Sequence, residues 1–278
     1  MHYDKLRFGT AGTPRSTTGK GRPAGVARSM ELGLGAQELE FVHGVNLREG
    51  DGEKIREHTK GSGFAVTAHG PYYINLNAQE PAKQEASVKR VLDTARALHA
   101  CGGTSATFHP GFYLKQEQDR VYENIKKRLK TITKRLADEG TDVTISPETT
   151  GKKTQFGSLN ELLKLAQDVE GLGVCVDFAH LHARSNGAYN TPEEFHDTMA
   201  AIEEGLGKEH LRQMHIHVSG IAYGEKGEKN HLPLQESDMK WRELLQTLKE
   251  FKARGAVICE SPTLEDDAQL LQRAYEDL

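Results

Sequence analysis

Short runs in which apolar residues alternate with small or polar ones recur along the chain, each bounded by glycine, proline or other turn formers. Eight of them read as strands, over residues 6–9, 36–42, 64–69, 105–109, 142–148, 173–177, 212–219 and 256–260. Between the strands, apolar positions fall three and four residues apart. That spacing predicts helices over 82–100, 116–138, 159–168, 192–204, 239–251 and 264–275, with fainter patterns over 22–32 and 53–60. Thr191 precedes Pro192, and Ser158 is followed three residues on by Glu161, both helix-start signals. Gly33, Gly140 and Gly255 stand just past helical runs, where a terminating glycine belongs. Eight strand–helix units with no linker or composition shift predict an α/β chain folded as a single-domain (β/α)8 TIM barrel over residues 1–278. A doubly wound open sheet has the same alternation, and strand counting leaves it open. The polar stretch 182–190 reads as a long loop before the helix that follows strand six.

The same alternation sorts side chains by face. Strand three sets Phe64, Val66 and Ala68 against Ala65, Thr67 and His69, and the next five strands divide in the same way. The apolar face must cover the helices, so the small and polar face points into the barrel. Six consecutive strands then end, at the rim where barrel enzymes build their sites, in an inward ionisable residue. These are His69, His109, Glu148, Asp177, His215 and Glu260, and His180 follows three residues after Asp177. A lone buried histidine or glutamate is most often a satisfied structural group. Seven converging in register are different, because burying each without a cation costs roughly several kcal/mol. Mixed histidine and carboxylate donors suit Zn2+, with Mn2+ and Fe2+ also compatible. Seven donors exceed the needs of one tetrahedral ion, so two or three ions are expected, with Glu148 as a bridge.

Composition then locates the chemistry. An apolar fraction of 36% with 28 glycines fits a globular chain, and no apolar run is long enough to span a membrane. The first ten residues lack the features of a secretory signal. Three cysteines, Cys101, Cys175 and Cys259, fit a reducing compartment, so a cytoplasmic location is expected. The formal charge of -4 argues against bulk polyanion binding. Its distribution is uneven, since Arg15, Lys20 and Arg22 follow strand one, Lys152 and Lys153 strand five, and Arg184 strand six. A basic rim around an acidic mouth is expected. Of the other histidines, His2, His58, His99, His196 and His210 read as solvated, His43 as a residue of the mouth, and His182 and His217 as partners of the ligands.

The segments His69-Gly-Pro-Tyr72-Tyr-Ile-Asn-Leu76, Phe108-His109-Pro110-Gly111, Pro147-Glu148-Thr-Thr-Gly151, Val174-Cys-Val-Asp177-Phe-Ala-His180, Met214-His215 and Cys259-Glu260-Ser-Pro262 resemble endonuclease IV. That is the family-2 apurinic/apyrimidinic endonuclease of base-excision repair. Its superfamily also contains xylose-isomerase-like sugar isomerases and epimerases. The resemblance implies a trinuclear zinc site that cleaves the DNA backbone 5′ to abasic sites through a metal-held hydroxide. His69, His109 and Glu148 would hold the first ion, and Glu148, Asp177, His215 and Glu260 the second. His180 would serve the third, together with an Asp-x-His pair after strand seven. That pair is replaced here by Glu228-Lys-Asn-His231, with the histidine one place late. The family's DNA-reading loop after strand two is also replaced, by Val42-His-Gly-Val-Asn-Leu47.

On this reading Glu148 and Glu260 are catalytic, the latter orienting or deprotonating the nucleophile, while Tyr72, Arg15 and Lys152 contact substrate. Glu228 and His231 complete the metal set. The partner is damaged double-stranded DNA and the chain is expected to be a monomer. The alternative is a sugar isomerase or epimerase of the same superfamily, with one ion on Glu148, Asp177, His215 and Glu260 and with His69 and His109 turned to substrate hydroxyls.

Overall fold

The computed structural model describes residues 3–278, so His2 lies outside the described residues. The strands are β1 (Leu6–Ala11), β2 (Ala36–Glu40), β3 (Ala65–His69), β4 (Ser105–Phe108), β5 (Gly111–Phe112), β6 (Thr144–Pro147), β7 (Gln155–Phe156), β8 (Cys175–Asp177), β9 (Met214–Val218), β10 (Gly220–Gly224), β11 (Gly227–Leu232) and β12 (Gly255–Cys259). The helices are α1 (Arg22–Glu31), α2 (Asp51–Thr59), α3 (Pro81–Ala100), α4 (Gln118–Asp138), α5 (Leu159–Asp168), α6 (Phe178–Arg184), α7 (Pro192–Leu206), α8 (Trp241–Glu250) and α9 (Glu265–Glu276). Parallel pairing joins eight of the strands in the order β6–β4–β3–β2–β1–β12–β9–β8. Two parallel bridges, Ile145 with Leu172 and Glu148 with Cys175, join the two ends of the sheet. The ring is therefore nearly closed, and the open doubly wound sheet is excluded.

The faces divide by polarity. Val66, Phe108, Ile145, Val176, Ile216 and Val257 point outward into one continuous core shared with the helices. Inside, a small cluster of Tyr3, Ala36, Ala65, Ala256 and Ile258 packs the floor. Above the floor, the interior is polar and ionisable. This is the layering expected of a barrel whose chemistry sits at the C-terminal rim.

Two expectations are corrected here. The stretch 182–190 is not one long loop, because α6 occupies Phe178–Arg184. Asp177 caps that helix by accepting the His180 N–H at 2.6 Å. Phe178 through Ala183 are all buried, so the helix shows no polar face to give it a period. The second correction concerns His210, read as solvated. It sits in a 3-10 turn and lines a polar cavity of about 660 Å3 beneath the floor. His58 and His196 are exposed, as expected.

Burial pushes the His210 imidazole down to about 4. Between pH 6.5 and 4 the unfolded chain therefore binds a proton here that the folded chain does not, and stability falls as pH drops through this window. Replacing His210→Phe is expected to flatten that fall, by at most about 1.4 kcal/mol per pH unit. Urea unfolding at pH 7 and pH 5 checks it; an unchanged difference between the two pH values would count against the burial argument.

Candidate metal centre

The inward ends of β3, β4, β6, β8, β9 and β12 meet at one point above the floor. His69 ends β3 and donates its Nδ1–H to Gly70 O at 2.7 Å, which turns Nε2 toward Glu148 Oε2 at 3.1 Å. His109 reaches the same oxygen at 3.5 Å from the turn after β4. Glu148 is fully buried just after β6, and its other oxygen lies 2.9 Å from His180 Nδ1. The N-capped first turn of α6 fixes the relation of Asp177 to His180. Thr149 ties Asp177 to the end of β6, donating to Asp177 O and accepting from Asp177 N.

The structure departs from expectation at the paired histidines of β9. His217 pairs in register with Asp177, whereas His215 pairs with Cys175 one step deeper. His217, not His215, therefore joins the group, with Nδ1 3.5 Å from Glu148, 4.0 Å from Asp177 and 3.4 Å from Glu260. His215 Nδ1 lies 2.9 Å from Ser105 Oγ, below the centre. Alternation along a strand gives the face of a residue but not its depth relative to neighbouring strands, which the stagger of the barrel sets.

The late histidine of the β11 segment also has a structural account. Glu228 pairs with Tyr223 and Asn230 with Ala222, leaving Lys229 as an extra residue in a β-bulge. The bulge returns His231 to the face that carries Glu228. Glu228 lies 3.7 Å from His180 Nε2, and His231 lies 3.9 Å from Glu260. Ser219 Oγ at 2.6 Å from His231 Nδ1 aims its Nε2 into the site. The Glu228 N–H donates to Gly151 O at 2.9 Å, which seats the hairpin on the loop after β6.

Two carboxylates of β2 complete the interior and were missed. Glu38 is fully buried, with His215 Nε2 at 2.8 Å and His217 Nε2 at 2.9 Å. Glu40 lies above it at the mouth. The alternation of Ala36, Glu38 and Glu40 along this strand carried the signal. Burial, Glu38 and Glu260 push Glu40 up to about 8 against the pull of His69. Burial disfavours charge on His69, but Glu148, Glu40 and Glu38 outweigh it and hold its pKa up at about 10. Burial also opposes ionisation of Glu148 and Glu260, yet the surrounding histidines hold both well below the usual carboxylate range. Asp177 goes the other way, driven up by burial and by the charges of Glu260 and Glu148.

Three sets of donor atoms lie within 4.8 Å of one another: His69, His109 and Glu148; Glu148, Asp177, His217 and Glu260; and His180, His231 and Glu260. A fourth set, Cys175, His215 and His217, lies deeper. Glu148 Oε1, Asp177 Oδ2, His217 Nδ1 and Glu260 Oε2 are buried without a hydrogen-bond partner. Unpartnered donors of this kind, facing one another, fit divalent cations and would otherwise be costly to bury.

The rim is less basic than expected on one side. Arg15 is bound to Asp266 at 2.6 Å and to Thr263 O, and its backbone N–H donates to Glu265. Arg184 turns inward to Thr150, Lys152 O and Gln155 O. Arg22 is held by Asn46 and Glu40 O. Lys152 and Lys153 instead face Lys226 and Lys229 across a groove beside Glu228. Tyr72 stands 59% exposed at the mouth with its ring edge against His69. His43 is exposed, and His182 faces away from the centre to Asp238 and Ala188 O.

Residues 26–277 match the model of a family described as a xylose isomerase-like TIM barrel. The chain belongs to the xylose isomerase-like TIM barrel family. An uncharacterized protein of Methanocaldococcus jannaschii is 46% identical over 273 residues, 98% of each chain. A probable endonuclease 4 of Mycoplasma pneumoniae is 26% identical over 244 residues, covering 85% of this chain and 82% of that one. Among solved structures of this barrel, endonuclease IV from Thermus thermophilus matches with a TM-score of 0.72 at 24% identity over 98% of both chains. A D-tagatose 3-epimerase-like protein matches with a TM-score of 0.71 at 18% identity over 93% of both. These two likenesses show the barrel fold.

Like charges crowd Asp177, and an asparagine there still caps α6. In chelator, Asp177→Asn is expected to stabilise the metal-free protein by about 1 kcal/mol or more. Urea unfolding measures it, and a loss of stability would refute the crowding.

Proposed function

We propose that this chain is a metal-dependent phosphodiesterase that hydrolyses the DNA backbone 5′ to abasic sites. The observation that carries the reading is the sharing of carboxylates. Glu148 belongs to two donor sets and Glu260 to two, so the three sets form one continuous cluster. A cluster bridged in this way suits two or three ions acting together on one phosphate. Zn2+ fits the donors best, with Mn2+ and Fe2+ compatible. When bound, the ions supply the positive charge that activates water and stabilises the attacking and leaving oxygens of an in-line displacement.

The chain's own residues do the rest. Glu148 spans two positions of the cluster. His69 and His109 hold one side, Asp177 and His217 the middle, and His180, His231 and Glu228 the hairpin side. Glu260 at the mouth is placed to orient the nucleophile and take its proton. Tyr72 offers an aromatic face beside the reacting centre, where a missing base leaves room for stacking. Lys152, Lys153, Lys226 and Lys229 seat the phosphates. Arg15 is not carried forward in that role, because Asp266 already takes up its charge.

A second reading is a single-ion sugar isomerase or epimerase. One observation favours it: Glu148, Asp177, His217 and Glu260 form a four-donor set by themselves. A cleft of about 510 Å3 also opens beside Glu40, lined by Arg22 and Arg48. That volume suits a small polar ligand.

The ion count separates the two. With two or three ions per chain, the protein is expected to nick a duplex carrying one abasic site, chelator to abolish the nick, and Glu148→Gln to lose at least about 100-fold in rate. An intact duplex after incubation with fully metallated protein, or one ion per chain, overturns the nuclease reading. Binding should also weaken with salt. Replacing Lys152 and Lys226 by glutamine is expected to lower the slope of log K against log salt by about 0.9 per lysine; an unchanged slope would remove these lysines from the interface.

A further inference from the structure

We propose that Asp238 is a positioning residue for the hairpin side of the metal centre, latching β10–β11 to helix α6; the inference rests on the metal reading above. Of the three donor sets at the mouth, His180, His231 and Glu260 form the one that takes a donor from the hairpin. The barrel strands place the donors of the other two. β10 and β11 form a two-stranded sheet of their own, so barrel pairing does not set where His231 stands relative to His180. What holds the hairpin against α6 decides it. Ile221 packs on Ala179 and Ala183 of α6, with Tyr223 against the same cluster. Ile221 is the register partner of His231, and Tyr223 that of Glu228. The two hairpin residues that meet α6 are therefore the cross-strand neighbours of the two that face the ions.

Apolar packing of this kind has no direction. Direction comes from Asp238, in the segment after β11. Tyr223 OH donates to its Oδ2 at 2.7 Å, and its Oδ1 lies 3.1 Å from Nε2 of the buried His182. Tyr223 belongs to β10 and His182 to α6, two residues after His180, so one carboxylate ties both elements. The rings of His182 and Tyr223 meet edge-on at 4.8 Å. Asp238 is itself held in place. The Asn190 side chain donates to its backbone O at 2.9 Å and accepts the N–H of Lys240 at 2.7 Å, while Ser237 Oγ accepts the Ile221 N–H at 3.0 Å. Without the carboxylate, Tyr223 and His182 lose their common partner. The hairpin then rests on apolar contact and on the Glu228 N–H bond to Gly151 O, and its donors are free to shift against His180.

The test has two independent readings. In metal-free protein, hydrogen exchange is expected to show the amides of residues 220–232 opening roughly 10-fold faster in Asp238→Ala than in wild type, with β8 and β9 unchanged. With Zn2+ added, competition with a chromophoric chelator is expected to show one ion weakened by roughly 10- to 100-fold and the others at wild-type affinity. His231→Ala should lose that same ion, and adding Asp238→Ala to it should cost no more. Tyr223→Phe should show a smaller loss of the same kind. Asp238→Asn, which keeps an acceptor for Tyr223, should recover part of it. Far-UV circular dichroism confirms that each variant is folded. Unchanged exchange in the hairpin overturns the latch without any metal. Equal weakening of every ion, or none, overturns the positioning role while leaving the metal reading intact. A wild-type protein that binds no ions ends both.

Discussion

Negative charge confined where water is scarce governs this barrel. Glu38, Glu148 and Asp177 are fully buried, and Glu40 and Glu260 stand just above them at the mouth. Around these five carboxylates the structure places imidazoles and no lysine or arginine ion pair among the described residues. Imidazoles are weak compensators, since each neutralises a carboxylate only by taking up a proton. The result is a set of opposed shifts within a few ångströms: Glu148 held down, Asp177 driven up and His69 raised. Such an interior is poorly suited to stability by itself. It is suited to receiving divalent cations, which replace several protons at once.

The surrounding architecture serves that confinement. The apolar floor, three alanines with Tyr3 and Ile258, keeps the ionisable layer away from the opposite end of the barrel. The N-cap of α6 uses a donor residue for a structural bond, so Asp177 and His180 cannot move independently. Hydroxyls hold the site from outside: Thr149 bonds the backbone of Asp177 on both sides, Ser105 meets His215 Nδ1 below the centre, and Ser219 meets His231 Nδ1 and sets the direction of its ring. The outer faces of the strands are left to ordinary apolar packing. This division lets one shell specify the fold and the other the chemistry.

Much of this was legible in the chain itself, and the gaps have physical causes. The eight barrel strands were readable because each carries a two-residue period between an apolar and a small or polar face. The inward histidines and carboxylates of six strands followed from that period. Helix α6 escaped notice because it is buried on every side. The β10–β11 hairpin escaped because β10 is short and bounded by glycines while β11 is polar and half-exposed, so burial imposes no alternation on the pair. The relative depth of His215 and His217 depends on barrel stagger, a property of neighbouring strands. The partners of Arg15 and Arg184 are long-range, and local spacing says nothing about them. Glu38 and Glu40 are different, because their face followed from the same alternation that located His69.

The bulged Lys229 separates two kinds of distance. A one-residue insertion alters the spacing of Glu228 and His231 along the chain, while the bulge restores their spacing in space. Motifs written as fixed intervals assume that the strand carrying them is regular. Where a strand can absorb a residue by bending, the interval is free to drift while the geometry is held. The edge hairpin is the part of this barrel that can do so, because its backbone is not locked between two neighbours as β8 and β9 are. Variation in sequence spacing should therefore concentrate at the hairpin side of the site, and the side built from central strands should keep its intervals.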